Sequence, residues 1–302
     1  MTRARAAVIL AAGQGTRMKS KTVKVLHAVG GRAMLDWSVD LARQSDAEKT
    51  IVVYGAHSPA VKTAAEALDC DTALQDPPQG TGHAVQSAQH ALGGFDGDAI
   101  VLYADTPLIR PETVERVFAA LGEGASVAVL GFRPDDPAAY GRLITDAAGR
   151  LDRIVEFKDA NAQERAVNLV NSGVLAAPAN LLFEWLSRVT NDNANGEYYL
   201  TDVVGLARAD GHQAVVVEAD AGEVLGVNSR ADLAEAEAAF QQRKRAEAMA
   251  AGVTLVAPET VFFAHDTRFA RDVIIEPHVV IGPGVALEED TRVPAFSCMG
   301  EE

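Results

Sequence analysis

From Phe263 onward the chain repeats every six residues. Reading in sixes gives Phe263-Ala-His-Asp-Thr-Arg, Phe269-Ala-Arg-Asp-Val-Ile, Ile275-Glu-Pro-His-Val-Val and Ile281-Gly-Pro-Gly-Val-Ala, then Leu287-Glu-Glu-Asp-Thr-Arg and Val293-Pro-Ala-Phe-Ser-Cys. Each hexad opens with an apolar residue, and most carry a small or β-branched residue at the fifth position. A parallel β-helix needs this period, because the first residue of each hexad points inward once per face. Six hexads make two coils of a three-faced prism. So short a solenoid leaves unpaired backbone at its open end, so the natural protein is expected to continue past Glu302.

The chain before the hexads follows a different rhythm. Ala6–Leu10, Thr50–Val53, Ala99–Tyr103, Ser126–Leu130 and Ala214–Val217 read as buried strands. Met34–Arg43, Pro59–Leu68, Gly82–Leu92 and Pro111–Leu121 read as helices, with Pro111 suited to a first helical turn. Alternation of this kind predicts βα units on a mainly parallel sheet, with ligands at the carboxyl ends of the strands. Arg230 to Ala251 holds neither Gly nor Pro and predicts one long helix, read as a rigid connector. The expected division is therefore an α/β domain over residues 1–228, a connector helix over 229–252 and a truncated β-helix over 253–302.

The 302 residues carry 42 acidic and 27 basic side chains, a net charge of −15. That balance argues against nucleic acid or an anionic membrane as partner, though not against a phosphorylated small molecule held by a few local cations. Cys70 and Cys298 are far apart and match no metal spacing, which favours a reducing compartment. No apolar run reaches the roughly 18 residues needed to span a bilayer, and the short run Ala6–Ala12 lacks a signal-peptide cleavage region. A cytoplasmic location is expected.

The densest chemical signal is Leu10-Ala11-Ala12-Gly13-Gln14-Gly15-Thr16-Arg17-Met18, directly after the first strand. Gly13 and Gly15 let backbone approach phosphate oxygens, and Arg17 offers a planar cationic fork. The dinucleotide fingerprint is excluded by Met18, and a Walker loop by the lack of Gly-Lys-Ser/Thr. Taken alone, Gly-x-Gly is also an ordinary turn. Lys19, Lys21 and Lys24 follow within one loop.

With Lys24-Val25-Leu26-His27, this segment resembles the signature of sugar nucleotidyltransferases. Further matches come in order: Gln75 with Gly80-Thr81-Gly82-His83-Ala84, Tyr103-Ala104-Asp105-Thr106-Pro107-Leu108, Tyr140-Gly141-Arg142 and Ile154 to Ala160. Asn171-Ser172-Gly173, Asn193 to Asp202 and Gly226 to Arg230 complete the set. Together they resemble the bifunctional N-acetylglucosamine-1-phosphate uridyltransferase/glucosamine-1-phosphate acetyltransferase family across essentially the whole chain. Two positions depart from its pattern: Val23 stands where proline is usual, and Ala104 where glycine is usual.

The resemblance implies a Rossmann-like nucleotidyltransferase domain followed by a left-handed parallel β-helix. It implies transfer of UMP from UTP to N-acetylglucosamine-1-phosphate, with Mg²⁺ as cofactor, in cell-envelope precursor synthesis. Leu10, Ala11, Ala12, Gly13, Gln75, Gly80 and Thr81 would hold the uridine, with Tyr103 and Ala104 also contacting substrate. Asp105 and Asn228 would hold the metal, and Arg17 and Lys24 would steady the triphosphate. Gly141, Glu156, Asn171, Tyr199 and Thr201 would bind the sugar phosphate. His27 and His83 read as structural. A homotrimer is implied for a full-length protein, weakened or lost in this chain, and acetyltransferase activity is expected to be absent from it. A transferase for another sugar or nucleotide, and a nucleotide-sensing protein without turnover, stay open as alternatives.

Overall fold

A computed structural model describes residues 3–300. The chain divides into two compact units. One runs to Val25 and resumes from Leu35 to Gly226; the other takes Leu26–Met34 and the residues from Val227 onward. The short segment 26–34 groups with the C-terminal part, and so does the long helix read as a separate connector.

The first unit is built on a nine-stranded sheet. Its strands are β1 (Ala4–Leu10), β2 (Ala47–Gly55), β3 (Asp71–Gln75), β4 (Gly97–Tyr103), β5 (Val127–Phe132), β6 (Arg142–Thr145), β7 (Leu151–Val155), β8 (Val170–Pro178) and β9 (Ala214–Glu218). The main order is β9-β5-β8-β4-β1-β2-β3, with β6 pairing both β8 and β7. β1, β2, β3 and β4 run parallel, as do β5 and β9, while β8 inserts antiparallel between β4 and β5. A central strand covered on both faces needs a continuous apolar run. Ala6 to Leu10 supplies one, and all five side chains are buried.

Around the sheet lie α1 (Met34–Gln44), α2 (Pro59–Ala67), α3 (Thr81–Ser87), α4 (Pro111–Gly122), α5 (Ala162–Arg165), α6 (Ala179–Leu186) and α7 (Asp202–Ala209). The helix expected over Gly82–Leu92 stops at Ser87 and continues as turns to Gly94. There the backbone switches to tight i−3 bonds, Gln89 N–H to Gln86 and Gly93 N–H to His90. Among the described residues no helix is long and apolar enough to cross a membrane.

In the second unit the hexads form coils. Parallel partners stand eighteen residues apart, as with Val261 and Val279, Phe269 and Leu287, and Ile275 and Val293. Phe263, Ile275, Ile281, Leu287 and Val293 point into the core. Phe269 is only half-buried; it packs at 5.9 Å from Phe263, with the Lys244 ammonium 5.4 Å from its ring centre. The pairing begins before the first hexad, at Leu255 with Ile275, and reaches Cys298–Met299, so the coils number more than the expected two. Corners carry a signal at the fourth hexad position: Asp272, His278, Gly284, Asp290 and Phe296 all have left-handed φ, between 58° and 78°. Asp, His and Gly enter that region most readily. Phe296 does not, and there its ring stacks 5.0 Å from His278, one coil earlier.

The helix α8 (Arg230–Ala250) opens on a capping box between Ser229 and Asp232. It closes the first edge of the coils. The buried Gln241 amide accepts from Phe263 N–H at 2.8 Å and donates to Phe263 C=O at 2.7 Å. The Arg245 guanidinium donates to Val261 C=O at 2.8 Å. Side chains thus stand in for a missing strand, meeting the backbone groups that would otherwise be unpaired. Gln241→Leu is expected to cost about 2–5 kcal/mol, since two buried backbone groups of Phe263 lose partners. A urea midpoint unchanged from the parent, with hydrogen exchange over residues 261–263 still slow, would contradict this account.

Candidate active site

Strands β1 and β4 end level, with Leu10 paired to Tyr103. Beyond them Ala104 N–H donates to Leu10 C=O at 3.1 Å, and Ala11 N–H to Val53 C=O at 2.8 Å. The chain then leaves β1 through Ala12–Gly15 into one 3₁₀ turn, Thr16–Met18. Gly15 has φ +60°, and a Cβ there would lie 2.7 Å from Lys24 Cβ. Only glycine lets the loop close on Lys24. The Lys24 ammonium sits 2.5 Å from Asp105 Oδ2, with both side chains mostly buried.

These groups wall a cavity of about 420 Å³ at the carboxyl ends of the parallel strands. Leu10, Ala11, Ala12 and Gly13 line it with Lys24, Asp105 and Tyr103, and so do Gln75, Gly80 and Thr81. Ten of the residues singled out in the sequence therefore meet in one place. Gln14, Val25, Pro78, Ala84 and Glu197 line it as well. Gln14 and Glu197 stand within the sequence motifs, which was the available signal; Val25 and Pro78 carry no reactive group.

The wall at Gly80 depends on a second loop. Gly80 has φ +107°, and a Cβ there would lie 2.6 Å from Tyr198 C=O. That carbonyl accepts from Gly82 N–H at 2.8 Å, and Thr81 Oγ1 accepts from Leu200 N–H at 3.0 Å. The loop is organised by Asn193, whose side chain donates to Glu197 C=O and accepts from the Asn195 and Glu197 N–H groups. This stitching delivers Thr201, whose hydroxyl donates to Glu156 Oε1 at 3.2 Å.

Glu156 belongs to a second cluster, with Gly141, Asn171, Tyr199 and Thr201. A Cβ on Gly141 would stand 3.4 Å from Glu156 Oε2, and Asn171 N–H donates to Gly141 C=O at 2.9 Å. Asn171-Ser172-Gly173 forms a bulge inside β8, where the register slips between Asn171 and Leu175. Ser172 Oγ holds it by donating to Leu130 C=O at 2.7 Å. The bulge throws Gly173 against Tyr103, where a Cβ would meet the ring at 2.7 Å. Tyr103 therefore lies between cavity and cluster. Burial pushes its phenol far above the usual range, and Asp105 and Glu156 add to the effect.

Arg142 stands in one of the sequence motifs, but no role was read for it there. Its guanidinium is buried and donates to the carbonyls of Arg165, Pro137, Tyr140 and Ala138, which fixes the loop that presents Gly141. Arg17 is exposed on the 3₁₀ turn and does not line the cavity. Ala104 is fully buried. Asn228 lies in the second unit just before the capping box, where Asp232 accepts from its N–H at 2.9 Å.

Among the described residues no three His, Cys, Asp or Glu side chains cluster to hold a metal. Asp105 still fits magnesium, which takes one or two carboxylates and fills its other positions with phosphate and water.

Residues 7–168, more than half the chain, match the family described as the MobA-like NTP transferase domain. The chain belongs to that family. It is similar to proteins named bifunctional protein GlmU: 74% identical over 271 residues to that of Maricaulis maris, covering 90% of this chain and 60% of the relative. That of Hyphomonas neptunium is 52% identical over 304 residues, covering 97% and 64%. The chain thus spans about 60–65% of the length of the curated relatives it matches. Among solved structures, UDP-glucose pyrophosphorylase complexed with UDP-glucose superposes with a TM-score of 0.64 over 80% of this chain and 100% of that one. At 20% identity that likeness shows the nucleotidyltransferase fold alone.

Burial raises the Glu156 carboxyl above its ordinary 4.5, a shift opposed by the Thr201 hydroxyl and reinforced by Asp159, Asp202 and Glu197. A raised folded value favours the neutral acid in the fold. Its contribution to stability is full below pH 4.5 and is lost as pH rises through the folded value. Glu156→Gln should therefore unfold at a higher temperature than the parent at pH 7.5, with the gain shrinking toward pH 4.5. Thermal scans across that range check it; a gain independent of pH would refute the assignment.

Proposed function

We propose that the chain transfers UMP from UTP to N-acetylglucosamine-1-phosphate, giving UDP-N-acetylglucosamine and pyrophosphate. The observation that carries this reading is the Lys24–Asp105 ion pair, set in the wall of the same cavity as the Leu10–Gly13 backbone and Gln75. A cation and an anion beside small, backbone-rich walls suit a triphosphate and its counter-ion. The neighbouring cluster around Glu156 suits an uncharged, hydroxyl-rich ring. The motif resemblance and the similarity to proteins named bifunctional protein GlmU supply the sugar and the nucleotide.

In the proposed step a phosphate oxygen of the sugar phosphate attacks the α-phosphorus of UTP. The new P–O bond forms as the bond to the β-phosphate oxygen breaks, and pyrophosphate leaves with the electron pair. The nucleophile is already an anion, so no general base is needed. Catalysis rests on positioning and charge neutralisation. Lys24 and Arg17 hold the phosphates, while Gln75, Gly80 and Thr81 hold the base. Glu156, Asn171 and Thr201 orient the sugar. Asp105 would hold Mg²⁺, which would supply further neutralisation of phosphate charge.

Pyrophosphate release with UTP, N-acetylglucosamine-1-phosphate and Mg²⁺ tests the reading. Asp105→Ala is expected to fall below about a tenth of the parent rate at saturating Mg²⁺ while keeping its fold by circular dichroism. A rate above that level removes Asp105 from the metal site. N-acetylglucosamine-1-phosphate should also exceed glucosamine-1-phosphate in kcat/KM by at least about tenfold, because an ammonium can only donate and leaves the Asn171 NH₂ without the acceptor that an acetamido carbonyl offers. Equal values for the two sugars would defeat that assignment.

A further inference from the structure

Gln75 ends β3 in the cavity wall, and its amide has only one way to face. The nitrogen Nε2 lies 2.9 Å from Gly80 C=O, and a carbonyl only accepts, so the group there must be the NH₂. The same nitrogen stands 3.3 Å from His83 Nδ1, which therefore takes the second amide hydrogen on a bare ring nitrogen. Both amide hydrogens are consumed. Oε1 is the remaining polar atom of the side chain, and Gln75 lines the cavity.

We propose that His83 is a positioning residue for base selection. It locks the Gln75 amide so that the site offers an acceptor alone. A freely rotating glutamine amide can pair with either a donor or an acceptor on a base edge. A locked one cannot. Uracil presents a ring N–H to such an acceptor, whereas the corresponding nitrogen of cytosine carries a lone pair. Cytosine would have to flip the amide, setting Oε1 against Gly80 C=O and forcing the His83 proton from Nε2 to Nδ1. The motif Gly80-Thr81-Gly82-His83 then has a physical reason for its spacing. Gly80 C=O and His83 Nδ1 sit on one turn at the start of α3 and together take the two hydrogens of one amide.

The inference rests on the uridylyl reading for the identity of the base, yet binding alone tests it. The dissociation constants of UTP and CTP are measured by calorimetry for the parent, His83→Ala and His83→Asn. Asparagine places an acceptor near the position of Nδ1. The parent should favour UTP. His83→Ala should narrow the UTP-to-CTP ratio about three- to tenfold, the worth of one neutral hydrogen bond. His83→Asn should restore it to within about twofold. In turnover, His83→Ala should raise KM for UTP more than it lowers kcat. A merely structural histidine would weaken both nucleotides alike and leave the ratio unmoved; that result, or a parent that binds UTP and CTP equally, overturns the proposal. A parent that prefers UTP but transfers nothing to a sugar phosphate would sink the proposed function and leave this inference standing.

Discussion

Two neighbouring parallel strands that stop at the same level determine where everything else in the first unit can be. With Leu10 beside Tyr103, the backbone past β1 and the side chain of Asp105 emerge at one edge. The bond from Ala104 N–H to Leu10 C=O extends that register by one residue beyond the ladder. Slipping it by one would turn Asp105 to the other side of the sheet. Ser38 and Thr106 reinforce the end of β4, since both hydroxyls donate to Tyr103 C=O. The cavity is thus a product of backbone geometry first and of side-chain chemistry second.

Much of this was legible because burial on both faces writes itself into sequence. Strands β1, β2, β4, β5 and β9 are apolar runs, and the sequence reading found all five within a few residues. β3 escaped notice because it is an edge strand, Asp71-Thr-Ala-Leu-Gln75, in which only Ala73 and Gln75 are buried. β6 opens on Arg142, which composition reads as surface. The bulge in β8 looks like a turn, because Asn-Ser-Gly has the chemistry of one and only the flanking pairings show that the strand resumes. In the second unit the inward residues of the hexads were plain. The left-handed fourth position was not, since Asp, His, Gly and Phe share no obvious property until their backbone angles are known.

Three buried polar side chains share a logic that pattern-reading misses. Arg142, Gln75 and Gln241 each donate to at least one backbone carbonyl. Each is thereby satisfied in the interior, where an unpaired polar group is costly. Each also fixes a piece of irregular backbone: the Gly141 loop, the turn at Gly80, and the first edge of the coils. Sequence shows such residues only as polar letters in unremarkable places. Their meaning depends on a carbonyl many positions away.

The eighteen-residue pairing also sets a reading frame for insertion and deletion. Losing one residue from a coil would send every later inward side chain outward, unless a corner absorbed the loss. Losing six would preserve burial but turn each later face by a third of a revolution, carrying with it whatever that face presents. Only a change of eighteen leaves both untouched. The chain already holds one exception: Leu255 pairs with Ile275, twenty residues on. Its two surplus residues are taken up in the 3₁₀ turn Pro258–Thr260, outside the ladders. Length variation among relatives should therefore gather at the corners, in small loops, and be scarce within the short strands between them.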